Sequence, residues 1–118
     1  MFPKVLVAAS NKPFVLSILA GGPSYGYAII QRVKQLTGGK LEWTTSTLYP
    51  VLHSLEVEEL LESFRVPSVE GPPRKYYRIT DEGLKALEKE KRQWLDIHAA
   101  LMQLWSPQAG LAHAASPA

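Results

Sequence analysis

One stretch constrains this chain more than any other: Thr44 to Glu62, TTSTLYPVLHSLEVEELLE. Leu48, Leu52 and Leu55 recur at helical spacing and form one apolar stripe. The opposite face carries Ser46, Tyr49, Pro50, His53 and Val57, for the most part small or hydrogen-bonding. Thr44, Thr45, Ser46 and Thr47 supply hydroxyls that can cap a helix N-terminus. Pro50 has no N–H and fits best in a first turn, which makes Thr47 the expected cap. Such a hydroxyl-rich helix start suits phosphate oxygens, because its free N–H groups and dipole favour an anion. The stretch reads as a recognition helix, and the rest of the chain as its support.

With 118 residues the chain has room for one domain and a modest core. A net charge of +2 says little about nucleic acid, but its distribution says more. Arg65, Arg74, Lys75 and Arg78 face only Glu70 in their segment, while Glu56, Glu58, Glu59 and Glu62 make an acidic patch just before it. A binding face must use the first cluster and turn from the second. Cysteine is absent, which excludes disulfides, thiolate metal sites and thiol catalysis. No apolar run approaches the ~20 residues of a membrane span. The first residues, MFPKVLVAAS, make a meagre signal peptide followed at once by polar residues, so a cytoplasmic protein is expected.

Residues 1–12 suggest an arm or short helix. Asn11 and Pro13 then start a helix over Phe14 to Ala20 that is apolar on nearly all sides and ends at Gly21–Gly22–Pro23. Ser24 is the expected cap of a second helix, with Ile29, Ile30, Val33 and Leu36 on one face and Gly38–Gly39 after it. Lys40 to Trp43 alternates like a very short strand. Leu61–Val66 and Lys75–Ile79 form a hairpin, with Pro67 to Pro73 as a loop too long for a tight turn. Arg74, Tyr76 and Arg78 share one face of its second strand; Lys75, Tyr77 and Ile79 share the other. Thr80 caps a last helix with Asp81 and Glu82 in its first turn. That helix extends to about Trp105, ~37 Å, beyond what so small a core covers. Residues 106–118, with Pro107, Gly110 and Pro117, have the composition of a disordered tail.

The expected fold is therefore mainly α with a small β-hairpin, in the order of a winged helix-turn-helix. LYPVLHSLE followed by RKYYRIT, with SYGYAII upstream and Asp81–Glu82–Gly83 after the wing, resembles the PadR family of bacterial transcriptional regulators. The resemblance spans about residues 13–105. It implies a winged helix-turn-helix over 13–80, a dimerisation helix over 81–105, a homodimer on palindromic operators, and usually repression. The single last helix resembles the family's small branch. Two departures stand out: Glu59 occupies a position where glycine is expected, so the turn into the wing should be conformationally unusual. Ser46 also replaces a frequent glycine.

On that reading Ser24 and Tyr25 contact phosphate, and residues 46–54 enter the major groove. Thr45, Ser46, Thr47, Tyr49, Pro50 and His53 carry the groove contacts; Arg74, Lys75 and Tyr76 hold the wing to the backbone or minor groove. No Arg or Gln stands on the helix for a bidentate base contact, so DNA shape and methyl contacts should supply much of the specificity. Winged helices also serve as protein-docking modules, and the glutamates at 56–62 keep that alternative open. Gly22–Pro23–Ser24–Tyr25–Gly26 matches a hydrolase nucleophile elbow by letter, but the candidate bases, His53 and His98, have no parallel strands to hold them, and Ser24 reads as a helix cap. His53, His98 and His113 lack metal-ligand spacing, and neither metal nor other cofactor is expected.

In the last helix Leu84, Leu87, Trp94, Leu101 and Trp105 keep one apolar stripe, while Leu95, Ile97, Met102 and Leu104 widen it. Two apolar surfaces on one helix imply two partners, one of them a second copy. Leu84, Leu87, Trp94, Leu101, Met102 and Trp105 are the expected dimer interface. Two symmetry-related Trp94 indoles would form a slot for a flat aromatic ligand, lined by Glu90, Lys91 and His98. Some small members of the family sense planar aromatic compounds.

Overall fold

The computed structural model describes residues 2–106. The elements are α1 (Lys4–Ala20), β1 (Ser24–Tyr25), α2 (Gly26–Leu36), α3 (Thr45–Val57), β2 (Leu61–Ser68), β3 (Gly71–Ile79) and α4 (Asp81–Trp105). They fall into two compact units, Met1–Leu87 and Glu88–Ala118, with α4 beginning in the first and continuing in the second. The tail expected at 106–118 lies, from residue 107 on, outside the described residues.

The first unit is assembled on α3. Leu48 and Leu52 are fully buried and Leu55 almost so, against Val15, Leu16 and Leu19 of α1 and Ile29 and Val33 of α2. Leu61, Tyr77 and Leu87 close this core from the sheet and α4. Each buried leucine contributes about 1.5–3 kcal/mol. That burial explains two prolines the local signals misplaced. Pro50 lies inside α3, not in its first turn, and the cap is Thr44 rather than Thr47: Thr44 Oγ1 accepts the Thr47 N–H at 3.3 Å. Pro13 lies inside α1, which runs unbroken from Lys4, so no separate arm over 1–12 precedes it. An interior proline costs ~3 kcal/mol. In α1 this is offset because Val7 and Phe14 pack on the same core as Val15, Leu16 and Leu19.

Two further expectations fail nearby. Lys40–Trp43 is not a strand: Leu41 and Trp43 are buried and Glu42 exposed in an irregular segment that packs on the core. Trp43 meets Phe14 edge-on at 5.8 Å, and the Leu41 N–H donates to Thr37 Oγ1 at 3.0 Å. Ser24 does not cap α2. It pairs with Tyr77, as Tyr25 pairs with Tyr76, adding β1 to the hairpin in a three-stranded antiparallel sheet of order β1-β3-β2.

The wing is longer than its prolines suggest. Ser68 pairs with Gly71, so only Val69 and Glu70 form the tip. Pro67 falls at an irregularity between Val66 and Ser68. Pro72 and Pro73 lie opposite that irregularity and beyond the two residues of β3 that pair with β1, where the ladder is interrupted.

The turn from α3 into β2 is closed by a Schellman motif. The Leu60 N–H donates to the Leu55 carbonyl at 2.9 Å and the Glu59 N–H to that of Glu56 at 3.0 Å. Glu59 takes φ +64°, the one non-glycine residue in the left-handed region among those described. The unusual conformation expected from the missing glycine is there. Thr80 ties this turn to α4: its Oγ1 donates to the Glu59 carbonyl at 2.7 Å and accepts the Gly83 N–H at 3.0 Å. A Cβ on Gly83 would collide with the Leu60 carbonyl oxygen and stand 2.6 Å from Ile79 Cγ1.

Candidate nucleic-acid interface

Packing of the leucine stripe leaves the other face of α3 to solvent. Thr45, Ser46, Thr47, Tyr49, Pro50 and His53 are all exposed. Thr47 is partly engaged with the cap, its Oγ1 3.3 Å from that of Thr44. The Thr45 and Ser46 hydroxyls have no protein partner among the described residues, so both are free to meet an external acceptor.

Tyr49 is held in a particular direction. Its phenol lies across the start of α2, where a Cβ on Gly26 would come 2.7 Å from the hydroxyl oxygen. Gly26 thus makes room for the ring. Tyr25, Gly26, Tyr27, Tyr49, Arg74 and Lys75 surround an open pocket of about 270 Å³. Phenols, two cations and the first turn of α2 converge there, and α2 has no acidic residue in that turn and no side-chain cap. The chemistry suits a phosphate. Tyr25, Tyr49, Arg74 and Lys75 were expected at DNA from the sequence and are brought together; Gly26 and Tyr27 were missed. The signal for Tyr27 was an aromatic residue off the apolar Ile29–Val33 face of α2, and the structure leaves it 66% exposed.

The sheet divides the wing residues between two faces. On the outer face Arg74 lies 4.6 Å from the Tyr25 ring centre, and Tyr25 lies 5.2 Å from Tyr76. Tyr76 stacks at 5.8 Å on Phe64, and Arg78 covers Phe64 at 4.8 Å. This ladder of rings and guanidinium groups stiffens the hairpin. Tyr76 is its centre, and Phe64, a missed residue, joins it to Arg78. Ser24 is held in the sheet by its pairing with Tyr77.

On the inner face Lys75 lies 5.4 Å from the Tyr77 ring centre and 3.9 Å from Glu56 Oε1. Burial pushes the Tyr77 phenol up from its ordinary 10.0, with Lys75 pulling the other way and Glu56 and Tyr49 adding to the rise. Tyr77 therefore stays neutral. The wing is less positive than its composition implies, because Arg78 is also paired, at 2.7 Å from Glu62. Arg65 and Arg74 have no carboxylate partner among the described residues.

Along α4 the expected residues separate. Leu87 is 2% exposed and belongs to the core of a single chain, so it is not free for an interface. Leu84, Trp94, Met102 and Trp105 are exposed, as are Leu95, Ile97 and Leu104, and Leu101 is half-buried. Glu90 and His98 flank Trp94 one turn either way, while Lys91 is paired with Glu88 at 3.1 Å. Among the described residues no acidic, histidine or cysteine cluster could hold a metal ion, and no helix is long and apolar enough to cross a membrane.

The chain matches the Transcriptional regulator PadR-like family over residues 15–89. An uncharacterized protein of Lysinibacillus sphaericus is 31% identical over 83 residues, 70% of this chain and 76% of its own. A transcriptional regulator from Clostridium thermocellum superposes with a TM-score of 0.78 at 26% identity, covering 86% of this chain and 95% of that one. A PadR-family regulator from Eggerthella lenta is 35% identical, with a TM-score of 0.70 over 87% of this chain and 89% of that one. The matched span runs from the α1 core through α3 and the wing into α4, and this chain belongs to the PadR-like family of transcriptional regulators.

Proposed function

We propose that the chain is a homodimeric repressor in the cytoplasm that places two copies of α3 in successive major grooves of a palindromic operator. The observation that carries this reading is the convergence of Tyr25, Tyr27, Tyr49, Arg74 and Lys75 on one pocket beside the exposed face of α3. The pocket takes a backbone phosphate and fixes the register, while Ser46, Pro50 and His53 face the bases. Ser24 stands in the strand beside that pocket, and Tyr76 supports it from the wing. Seven large apolar side chains exposed on α4, from Leu84 to Trp105, support a second copy as its partner. Repression follows from occupancy of a promoter by such a dimer.

The same surface supports an effector site. Trp94 is 37% exposed midway along α4, with Glu90 and His98 one turn away and Lys91 beside it. Paired across a two-fold axis, the indoles form a slot for a planar aromatic ligand, which favours one spacing of the subunits and so biases operator binding.

Hydroxyl-radical footprinting on the DNA upstream of the chain's own gene tests the reading. The expected result is two protected segments one helical turn apart, ~34 Å, or a multiple of that spacing. A single protected segment from a monomeric protein would overturn it.

A further inference from the structure

Lys75 stands between two sites of opposite meaning. Its side chain lines the pocket with Arg74 and three tyrosines, yet its ammonium group rests 3.9 Å from Glu56 Oε1. Glu56 belongs to the last turn of α3, and its other oxygen, Oε2, accepts the Ser63 hydroxyl hydrogen from β2. Ser63 is fixed in register opposite Tyr77, so the carboxylate is aimed from two sides at the wing lysine. Resting on the reading that this pocket takes DNA phosphate, we propose that Glu56 is an internal counter-ion that DNA must displace from Lys75, and that it thereby sets the affinity.

The geometry suits exchange. At 3.9 Å the pair is loose, and Lys75 and Glu56 side chains are 43% and 31% exposed. Such contacts are weak and screened by salt. A phosphate in the pocket meets Arg74 and phenol hydroxyls as well as the lysine, where Glu56 offers a carboxylate alone. The flexible four-carbon stem lets the ammonium group swing without moving β3. Ser63 keeps Glu56 in place after exchange, leaving a negative charge beside DNA. This opposes binding at every sequence alike, so the dimer is held to a weaker grip from which an effector releases it more easily.

The test measures anisotropy of a labelled mixed-sequence duplex through a salt series, for the parent, Glu56→Gln, Lys75→Gln and both together. Glu58→Gln serves as the control for charge alone, since Glu58 is exposed and has no ion pair among the described residues. In Glu56→Gln the new amide keeps the size of the carboxylate and can still accept from Ser63. Glu56→Gln should tighten binding by about three- to tenfold per dimer at low salt. It should also steepen the slope of log K against log salt by up to about 2. In the Lys75→Gln background the gain should shrink to about that of Glu58→Gln, and Glu58→Gln should give less than Glu56→Gln. Without DNA, amine acetylation read by mass spectrometry should label Lys75 faster in Glu56→Gln than in the parent. An equal gain with Lys75 absent, or from Glu58→Gln, assigns the effect to general charge and overturns the proposal. So does unchanged Lys75 labelling. A parent that binds no duplex even at low salt overturns the DNA reading itself, whatever the labelling shows.

Discussion

Replacing Glu59 by glycine should stabilise this protein. Glu59 sits at φ +64° in a motif whose two hydrogen bonds, from Leu60 to Leu55 and from Glu59 to Glu56, require that conformation. A side chain there costs ~1–2 kcal/mol, because its Cβ crowds the following carbonyl. Glycine removes that crowding but adds unfolded-state entropy of ~0.5–1 kcal/mol. A further gain comes from removing a carboxylate at the negative end of α3, ~0.3–1 kcal/mol for an exposed group. Glu59→Gln isolates this charge contribution, since glutamine keeps the Cβ. The net expectation is that Glu59→Gly exceeds Glu59→Gln by ~0.5–1 kcal/mol. In thermal unfolding that is a rise of roughly 2–8 °C, since 1 kcal/mol moves Tm by about 4–8 °C in a domain this small. Urea unfolding should show the same order at unchanged slope. A glycine variant no more stable than the glutamine one would mean that the Thr80 bond to the Glu59 carbonyl, at 2.7 Å, already holds the turn without strain.

Gly26→Ala should push the Tyr49 phenol out of its seat and weaken DNA binding by roughly 1 kcal/mol, one lost hydrogen bond. Thermal stability should hold or rise, since alanine is the better helix former; unchanged DNA affinity would detach Tyr49 from phosphate. Tyr77 has its phenol pKa raised by burial above the unfolded 10.0, so the folded state keeps its proton longer and stability should fall as pH climbs past that value. Tyr77→Phe should lose less stability than the parent between pH 9 and pH 11, roughly the window set by linkage, as read by urea unfolding at each pH. Trp94→Ala should abolish quenching of indole fluorescence by flat aromatic dyes while the protein stays dimeric, with Trp105→Ala much milder. Dissociation of Trp94→Ala instead would make Trp94 ordinary interface packing.

The leucine stripe of α3 was legible because one face of a single helix does all the burying: Leu48, Leu52 and Leu55 are core, and their opposites are exposed. What failed were local signals that tertiary packing overrules. Pro13 and Pro50 mark helix starts by propensity, yet both lie inside helices, Pro50 between the buried Leu48 and Leu52 and Pro13 just before the buried Val15 and Leu16. Alternation at Leu41 and Trp43 comes from an irregular segment lying on the core, not from a ladder. β1 is only Ser24 and Tyr25, too short to carry any period, and exists because Tyr76 and Tyr77 offer it an edge. The candidate site was half legible. Its cations and phenols stood out by residue type, whereas the pairing of Lys75 with Glu56, nineteen positions earlier, depends on the sheet bringing the wing back to α3.

The measurement that bears most directly on the account is the salt dependence of duplex binding for the parent and for Arg74→Ala. With about six phosphate contacts per dimer, log K should fall against log salt with a slope near −5. Arg74 has no carboxylate partner among the described residues and lines the pocket proposed for phosphate, so its loss should remove one contact per subunit. The slope should then shrink by about 2 without altering which sequence is preferred. A parent slope near zero, or an Arg74→Ala slope equal to the parent's, would contradict the assignment of this pocket and wing to DNA.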